Sequence, residues 1–102
     1  MTAEYQVAFS PESQAQIADL YQHIAKAGSP QTAFEYADAI ISHCEALMHF
    51  PERGTLRNDI RPGLRTTHYR GRVIIAYTVM GLTVHILGIY YGGQDFETML
   101  SA

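Results

Sequence analysis

All six arginines of the chain lie within twenty consecutive residues, and arginine is well suited to bind anions. They are Arg53, Arg57, Arg61, Arg65, Arg70 and Arg72. A guanidinium presents five donors in a planar fork that matches a phosphate or a carboxylate, and it also stacks on aromatic rings. The segment therefore predicts a site for a polyanion or for an acidic protein partner.

The rest of the chain carries the opposite charge. Residues 1–50 hold six acidic side chains and one lysine, a formal charge of −5, whereas residues 51–72 hold six arginines and two acidic side chains, a formal charge of +4. A positive segment on an acidic body attracts an acidic partner locally. The alternative is that the arginines are solvated and form weak surface pairs, such as Arg53 with Glu52 or Arg57 with Asp59.

Other reactive side chains form no recognisable site. The histidines lack metal-ligand spacing, since His43 and His49 are six residues apart and do not share a helix face. The single cysteine, Cys44, excludes an internal disulfide, and it falls on an apolar helical stripe where a buried thiol is expected. Gly92-Gly93 lacks the pattern of a phosphate-binding loop. We therefore expect neither a metal nor a cofactor.

The length and composition indicate one globular domain spanning residues 1–102. The chain is 47% hydrophobic and 17% charged, which is typical of a folded protein rather than a disordered one. No apolar run reaches the roughly 18 residues of a membrane span, and residues 1–4 do not resemble the start of a signal peptide. We therefore expect a cytoplasmic protein with no membrane partner.

The N-terminal half predicts a strand followed by two helices. Residues Tyr5–Ser10 alternate apolar and polar side chains, as in a half-buried strand. The pairs Ser10-Pro11 and Ser29-Pro30 each combine a capping serine with a proline at the first helical position, and Pro51 ends the second helix. A short connection makes the helices an antiparallel hairpin. Its apolar face is predicted to consist of Ile17, Leu20, Tyr21, Ile24, Ala33, Ala37, Ile40, Ile41, Cys44, Leu47 and Met48.

The C-terminal half predicts three strands and a short final helix. The segments Leu64–Tyr69, Arg72–Val79 and Leu82–Tyr91 are rich in β-formers and are separated by glycine turns, which indicates an antiparallel meander with Arg72–Val79 at its centre. Residues Gln94–Ser101 are predicted to form the helix. The expected fold is α+β, in the order β-α-α-β-β-β. The hairpin packs on one face of a mostly antiparallel four-stranded sheet.

This layout places the arginines between the second helix and the third strand. Three of them lie in the loop of residues 51–63, and two flank the first hairpin turn. Arg65, Thr67 and Tyr69 share one strand face, so a cation and a base-stacking aromatic ring are predicted to be presented together.

Several short segments, taken in order, resemble the RelE/ParE superfamily of toxins from type II toxin–antitoxin systems. The chain reads FPERG at Phe50–Gly54, RPGLR at Arg61–Arg65 and YRGRVIIAY at Tyr69–Tyr77, followed by Val84–Gly93. The N-terminal Phe9–Glu12 before a helical hairpin is also similar. PERG and RPGLR are more similar to the ParE branch.

The resemblance implies a fold, partners and two alternative targets. A small cognate antitoxin, similar to ParD, would wrap the toxin in a hetero-oligomer and suppress growth inhibition. ParE-type toxins poison DNA gyrase without catalysis, whereas RelE-type toxins cut mRNA on the ribosome. A toxin that retains only antitoxin binding is a third, weaker alternative. The arginine segment would supply target or antitoxin contacts.

The ribonuclease alternative needs groups that move protons and cations that stabilise the phosphorane. Arg65 and Arg72 are candidates for the cationic role. The last strand, however, contains no arginine, and Gly88 and Gln94 stand where the resemblance leads us to expect one. His85, Tyr90 and Tyr91 remain as low-ranked candidates for proton transfer, because such residues in a strand are more often core residues. We therefore prefer gyrase as the target.

Overall fold

The computed structural model describes residues 4–101, and its N-terminal half is a strand followed by a helical hairpin. The elements are β1 (Gln6–Phe9), α1 (Pro11–Ala27) and α2 (Pro30–Glu45), followed by a 3₁₀ turn, Ala46–Met48. Both helices begin as the serine–proline pairs predict. The Ser10 side chain accepts a hydrogen bond from the Ser13 amide, and the Ser29 side chain accepts one from the Thr32 amide.

The C-terminal half completes a five-stranded sheet. Its elements are β2 (Thr55–Leu56), β3 (Arg65–Tyr69), β4 (Val73–Met80), β5 (Thr83–Tyr91) and α3 (Phe96–Leu100). The strand order is β1-β5-β4-β3-β2, in which only β1 and β5 are parallel. The α+β class, the central place of Arg72–Val79 and the final helix are confirmed. The prediction of four strands was wrong by one, since Thr55–Leu56 pairs with β3 inside the predicted loop.

One face of the sheet packs on the helical hairpin. Leu20 of α1 and Ile40 of α2 are almost fully buried there against a set of β4 and β5 side chains. That set comprises Val73, Ile75, Tyr77, Val84, Ile86 and Ile89. Met48 was wrongly predicted to belong to this face. It is 36% exposed because the 3₁₀ turn rotates it off the stripe of α2.

The opposite face of the sheet carries a second, smaller core. Leu64, Ala76, Tyr90 and Leu100 are buried there, with Ile60, Ile74, Leu87 and Phe96 packed around them. The covering layer consists of α3 and the loop between β2 and β3. We call this side the α3 face and the other the hairpin face.

A β-bulge at Leu87 separates the two halves of β5. Pairing with β4 shifts there, so that Ile86 and Ile89 both point to the hairpin face while Tyr90 points to the α3 face. Side chains of the α1 N-cap and of α1 form hydrogen bonds with the backbone groups at the bulge. The Ser10 hydroxyl donates to the Leu87 carbonyl at 3.1 Å, and the Ile89 amide donates to Oε1 of Gln16 at 2.6 Å.

Candidate interaction surfaces

The six arginines lie within twenty residues of the sequence but separate into three places in the fold. Arg53 lies in the loop before β2, to which the Arg65 side chain is bound. Arg57 and Arg61 lie in the loop beside α3, and Arg70 and Arg72 lie in the turn between β3 and β4. Arg65 is the first residue of β3 and Arg70 directly follows the strand, so the two residues are about 16 Å apart along the backbone. A single binding patch made of all six side chains is therefore not present.

Arg57 is neutralised within the chain. Its guanidinium donates to Asp59 at 2.9 and 3.0 Å and to Glu97 at 2.7 Å, and it lies over the ring of Phe96, 5.8 Å from the centroid. The hydrogen bond from Arg57 holds the pKa of the Asp59 carboxyl below its ordinary value. The predicted pair of Arg57 with Asp59 is confirmed, and the contact with Glu97 ties the loop to α3.

Arg61 takes part in the same loop. Its amide donates to the Arg57 carbonyl at 3.3 Å, and its own carbonyl accepts from the Leu64 amide at 3.1 Å. The residue is half-buried. The backbone of Arg61 thus closes the turn that precedes β3.

Arg65 holds a loop in place. One guanidinium nitrogen, Nη1, donates to the carbonyls of Glu52 at 3.2 Å and Gly54 at 3.0 Å. The Gly54 amide donates to the buried hydroxyl of Tyr77 at 2.8 Å. A Cβ atom at Gly54 would lie 2.7 Å from the Thr66 carbonyl oxygen, so glycine permits this close approach. The Arg65 guanidinium therefore binds the loop backbone and stabilises the loop.

Arg53, in the same loop, makes no such side-chain contact within the described part of the chain. It is exposed, and among the described residues 4–101 it has no ion-pair partner. The predicted pair of Arg53 with Glu52 is not formed.

The face shared by Arg65, Thr67 and Tyr69 is the hairpin face, so the prediction of an open cation and aromatic pair was wrong. Tyr69 packs edge-on against the rings of Tyr36 and His43 of α2, with centroids 5.7 and 5.5 Å apart. The parity of β3 decides this, since Tyr69 pairs with Val73 of the hairpin core. Tyr69 is consequently half-buried rather than available to a base.

Arg70 and Arg72 form the remaining cationic surface, which we call the turn surface. Arg70 adopts a left-handed backbone conformation with φ of 53°, and its guanidinium stacks over Tyr69, 5.5 Å from the ring centroid. Arg72 is exposed and lines a depression of about 510 Å³ with His68 and Gly92-Gly93. His68 was missed from the sequence, although strand alternation from Tyr69 places it on the α3 face.

The three candidates for proton transfer do not converge. Tyr90 is 1% exposed on the α3 face, and burial is the main cause that raises the pKa of its phenol. Tyr91 is half-buried on the hairpin face, beside His23. His85 is paired with Thr78, and the six residues from His85 to Tyr91 span roughly 20 Å of strand. Arg72 lies near the Tyr91 end, remote from His85.

Gly88 and Gln94, the two positions at which the resemblance led us to expect arginine, both have structural roles here. A Cβ atom at Gly88 would lie 2.6 Å from Cζ of Tyr90, because the Tyr90 ring covers Gly88. At Gln94, Oε1 accepts a hydrogen bond from the Tyr91 amide at 2.9 Å and closes the Gly92-Gly93 turn. Neither position offers a cation.

Comparison with known proteins gives one family and one fold. The family model described as ParE toxin of type II toxin–antitoxin system, parDE, matches residues 7–96. A solved structure, the chromosomal ParDE TA system from P. aeruginosa, is similar with a TM-score of 0.76 and 22% identity, and the match covers 88% of this chain and 98% of that one. No curated protein matches the sequence. Within residues 4–101, no helix has the length and hydropathy needed to cross a bilayer.

Proposed function

Because the chain belongs to the ParE toxin family of type II toxin–antitoxin systems, we propose that it inhibits growth by binding and poisoning DNA gyrase. A cognate antitoxin neutralises it in a hetero-oligomer. On this proposal the protein acts in the cytoplasm, where gyrase meets DNA. It is a binding protein and not an enzyme.

One observation carries the choice of gyrase over RNA cleavage: the proton-transfer candidates His85, Tyr90 and Tyr91 are dispersed. Cleavage by a 2′-hydroxyl needs a base and an acid within hydrogen-bond reach of the same phosphate. Tyr90 and Tyr91 point to opposite faces of the sheet, and His85 lies roughly 20 Å along the strand. Arg65, the second proposed cation, is bound to loop carbonyls. A binding function needs none of these groups to converge.

A ribosome-dependent endoribonuclease remains the second candidate, favoured by a different pair of residues. His68 and Arg72 line the same depression on the turn surface, which offers an imidazole and a guanidinium to a phosphate. In that function His68 takes the proton-transfer role, and Arg72 stabilises the negative charge.

A short induction in cells distinguishes the two functions. A gyrase poison raises the SOS response and gyrase-linked DNA breaks early, while translated mRNA stays intact. Codon-positioned mRNA cuts that appear within minutes, and that His68→Ala and Arg72→Ala abolish, support the endoribonuclease and contradict our choice. Arg72→Ala by itself would not discriminate, because both functions use its positive charge.

The turn surface is the proposed binding site of an acidic, partly disordered antitoxin segment. We expect Arg70→Gln with Arg72→Gln to weaken binding of the purified antitoxin about tenfold, since two partly exposed ion pairs contribute roughly 0.7 kcal/mol each. The variant should also reduce the salt dependence of binding. Lys26→Gln, which removes an exposed cation from α1, is the control and should change little. Unchanged affinity of the double variant at low salt would contradict this placement.

A further inference from the structure

Exposed apolar side chains concentrate at the end of the sheet remote from the turn surface. Of the seven large hydrophobic side chains that are exposed in residues 4–101, only Phe34 and Met99 lie elsewhere. The other five belong to the 3₁₀ turn, the following loop, β2 and the β4–β5 turn. They are Met48, Phe50, Leu56, Met80 and Leu82. Clustered exposure of this kind marks interaction sites in soluble proteins.

Phe50 is, with Met80, the most exposed of these five side chains. Its side chain is 66% exposed, and it lines a depression of about 690 Å³ with Tyr5, His49 and residues 51–53. The adjoining β4–β5 turn is close, because the Gln6 amide donates to the Leu82 carbonyl at 2.8 Å. We call the surface formed by Tyr5 and residues 49–53 the Phe50 surface.

The backbone beneath the Phe50 surface is fixed. The Arg53 amide donates to the Phe50 carbonyl at 3.1 Å and closes a turn around Pro51. The Arg65 and Tyr77 contacts then hold Glu52 and Gly54 from the sheet. Phe50 and Arg53 are thus presented on a rigid support, which lowers the conformational entropy lost on binding.

We propose that the Phe50 surface is the target-recognition surface of this toxin, docking a folded protein that offers an apolar pocket beside a carboxylate. The proposal rests on the proposed function, in which that protein is gyrase. Phe50 enters the pocket, and Arg53 pairs with the carboxylate. Aromatic and arginine side chains are the types that most often dominate binding energy at protein interfaces.

The charge and the hydrogen-bonded backbone of the Phe50 surface indicate which kind of partner binds there. Arg53 is the arginine of the Phe50 surface, and it has no ion-pair partner among residues 4–101, so it is open to a partner carboxylate. A preformed aromatic and arginine pair suits a folded surface, which also changes shape little on binding. The extended cationic turn surface, at the other end of β3, suits a segment that folds on binding. Two partners thereby occupy opposite ends of the sheet.

Binding of purified toxin to purified gyrase, and separately to the purified antitoxin, tests the proposal. We expect Phe50→Ala to weaken gyrase binding about thirtyfold, the size of an interface hot spot, and Arg53→Gln to weaken it several-fold. Antitoxin affinity should stay within about threefold. Phe34→Ala and Met99→Ala are matched controls, because they remove exposed apolar side chains elsewhere and should leave gyrase binding unchanged.

Tyr77→Phe tests the loop support without altering the surface. Loss of the hydroxyl removes the acceptor of the Gly54 amide, so we expect faster hydrogen exchange at Gly54 and several-fold weaker gyrase binding. Antitoxin binding is the control readout. Tyr77 is here a positioning residue, since its hydroxyl is buried beneath the loop.

Three results overturn the assignment of the Phe50 surface. Gyrase binding that persists unchanged in Phe50→Ala removes its role in the target interface. Antitoxin affinity that falls in parallel assigns the surface to the antitoxin, and a dimer of the free toxin that Phe50→Ala dissolves assigns it to self-association. Wild-type toxin that fails to bind gyrase at all contradicts the proposed function itself, which keeps the two failures distinct.

Discussion

Truncation of Ile40 or Leu20 to alanine should lower the free energy of unfolding by about 2–5 kcal/mol. Ile40 is fully buried and Leu20 is 4% exposed, both between the hairpin and the sheet, so each truncation leaves a cavity that rigid β-strands cannot refill. For a domain whose total stability is about 5–15 kcal/mol, this is a large fraction. Urea unfolding followed by circular dichroism measures the change.

Ile41 provides the matched control for this prediction. It follows Ile40 on α2 but is only half-buried, at an open depression that Phe9 and Ile17 also line. Ile41→Ala should therefore cost clearly less than Ile40→Ala. Equal losses at both positions, or losses under about 1 kcal/mol at Ile40 and Leu20, would contradict the packing of the hairpin on the sheet.

Substitution of Gly88 by alanine is the second change with a large expected effect. The added methyl group would overlap the Tyr90 ring, which is itself packed in the second core. Overpacking of this kind costs about 1–3 kcal/mol, and more when the neighbour cannot move. Thermal unfolding of Gly88→Ala should show the loss as a lower Tm.

Shortening Tyr90 tests the cause of that loss. In a Tyr90→Leu background the ring is absent, so Gly88→Ala should cost less than it does in the wild type. Additive losses in the double variant would mean that the two residues do not collide. The same contact implies that arginine at position 88 would displace Tyr90 rather than add a cation to the existing surface.

Much of the fold was predictable because local signals agree with tertiary packing. Ser10-Pro11 and Ser29-Pro30 combine a cap with a fixed φ angle, so the helix starts follow from local chemistry. Leu20 and Ile40 follow helical periodicity onto the hairpin face. The two residues of β2 were not predictable, since their pairing comes from β3 and not from any pattern of their own.

The candidate site was less predictable because side-chain partners lie far apart in sequence. The bulge at Leu87 reverses the parity of β5, and its one local signal in β5 is the isolated glycine beside it, Gly88. Arg57 pairs with Glu97, forty residues later, and Arg65 binds the carbonyls of a preceding loop. Sequence clustering of arginine therefore identifies a positive segment but overstates the number of guanidinium groups open to a partner.

Purified gyrase tests the central claim, that this toxin acts by poisoning gyrase, more directly than any other measurement. Supercoiling of relaxed plasmid and formation of gyrase-linked linear DNA should be followed while the purified toxin is titrated, with the toxin–antitoxin complex as the control. With toxin alone we expect loss of supercoiling and accumulation of cleaved plasmid, and with the complex we expect neither effect. Full gyrase activity at a large molar excess of toxin, together with mRNA cleavage in a reconstituted translation reaction, would contradict the central claim.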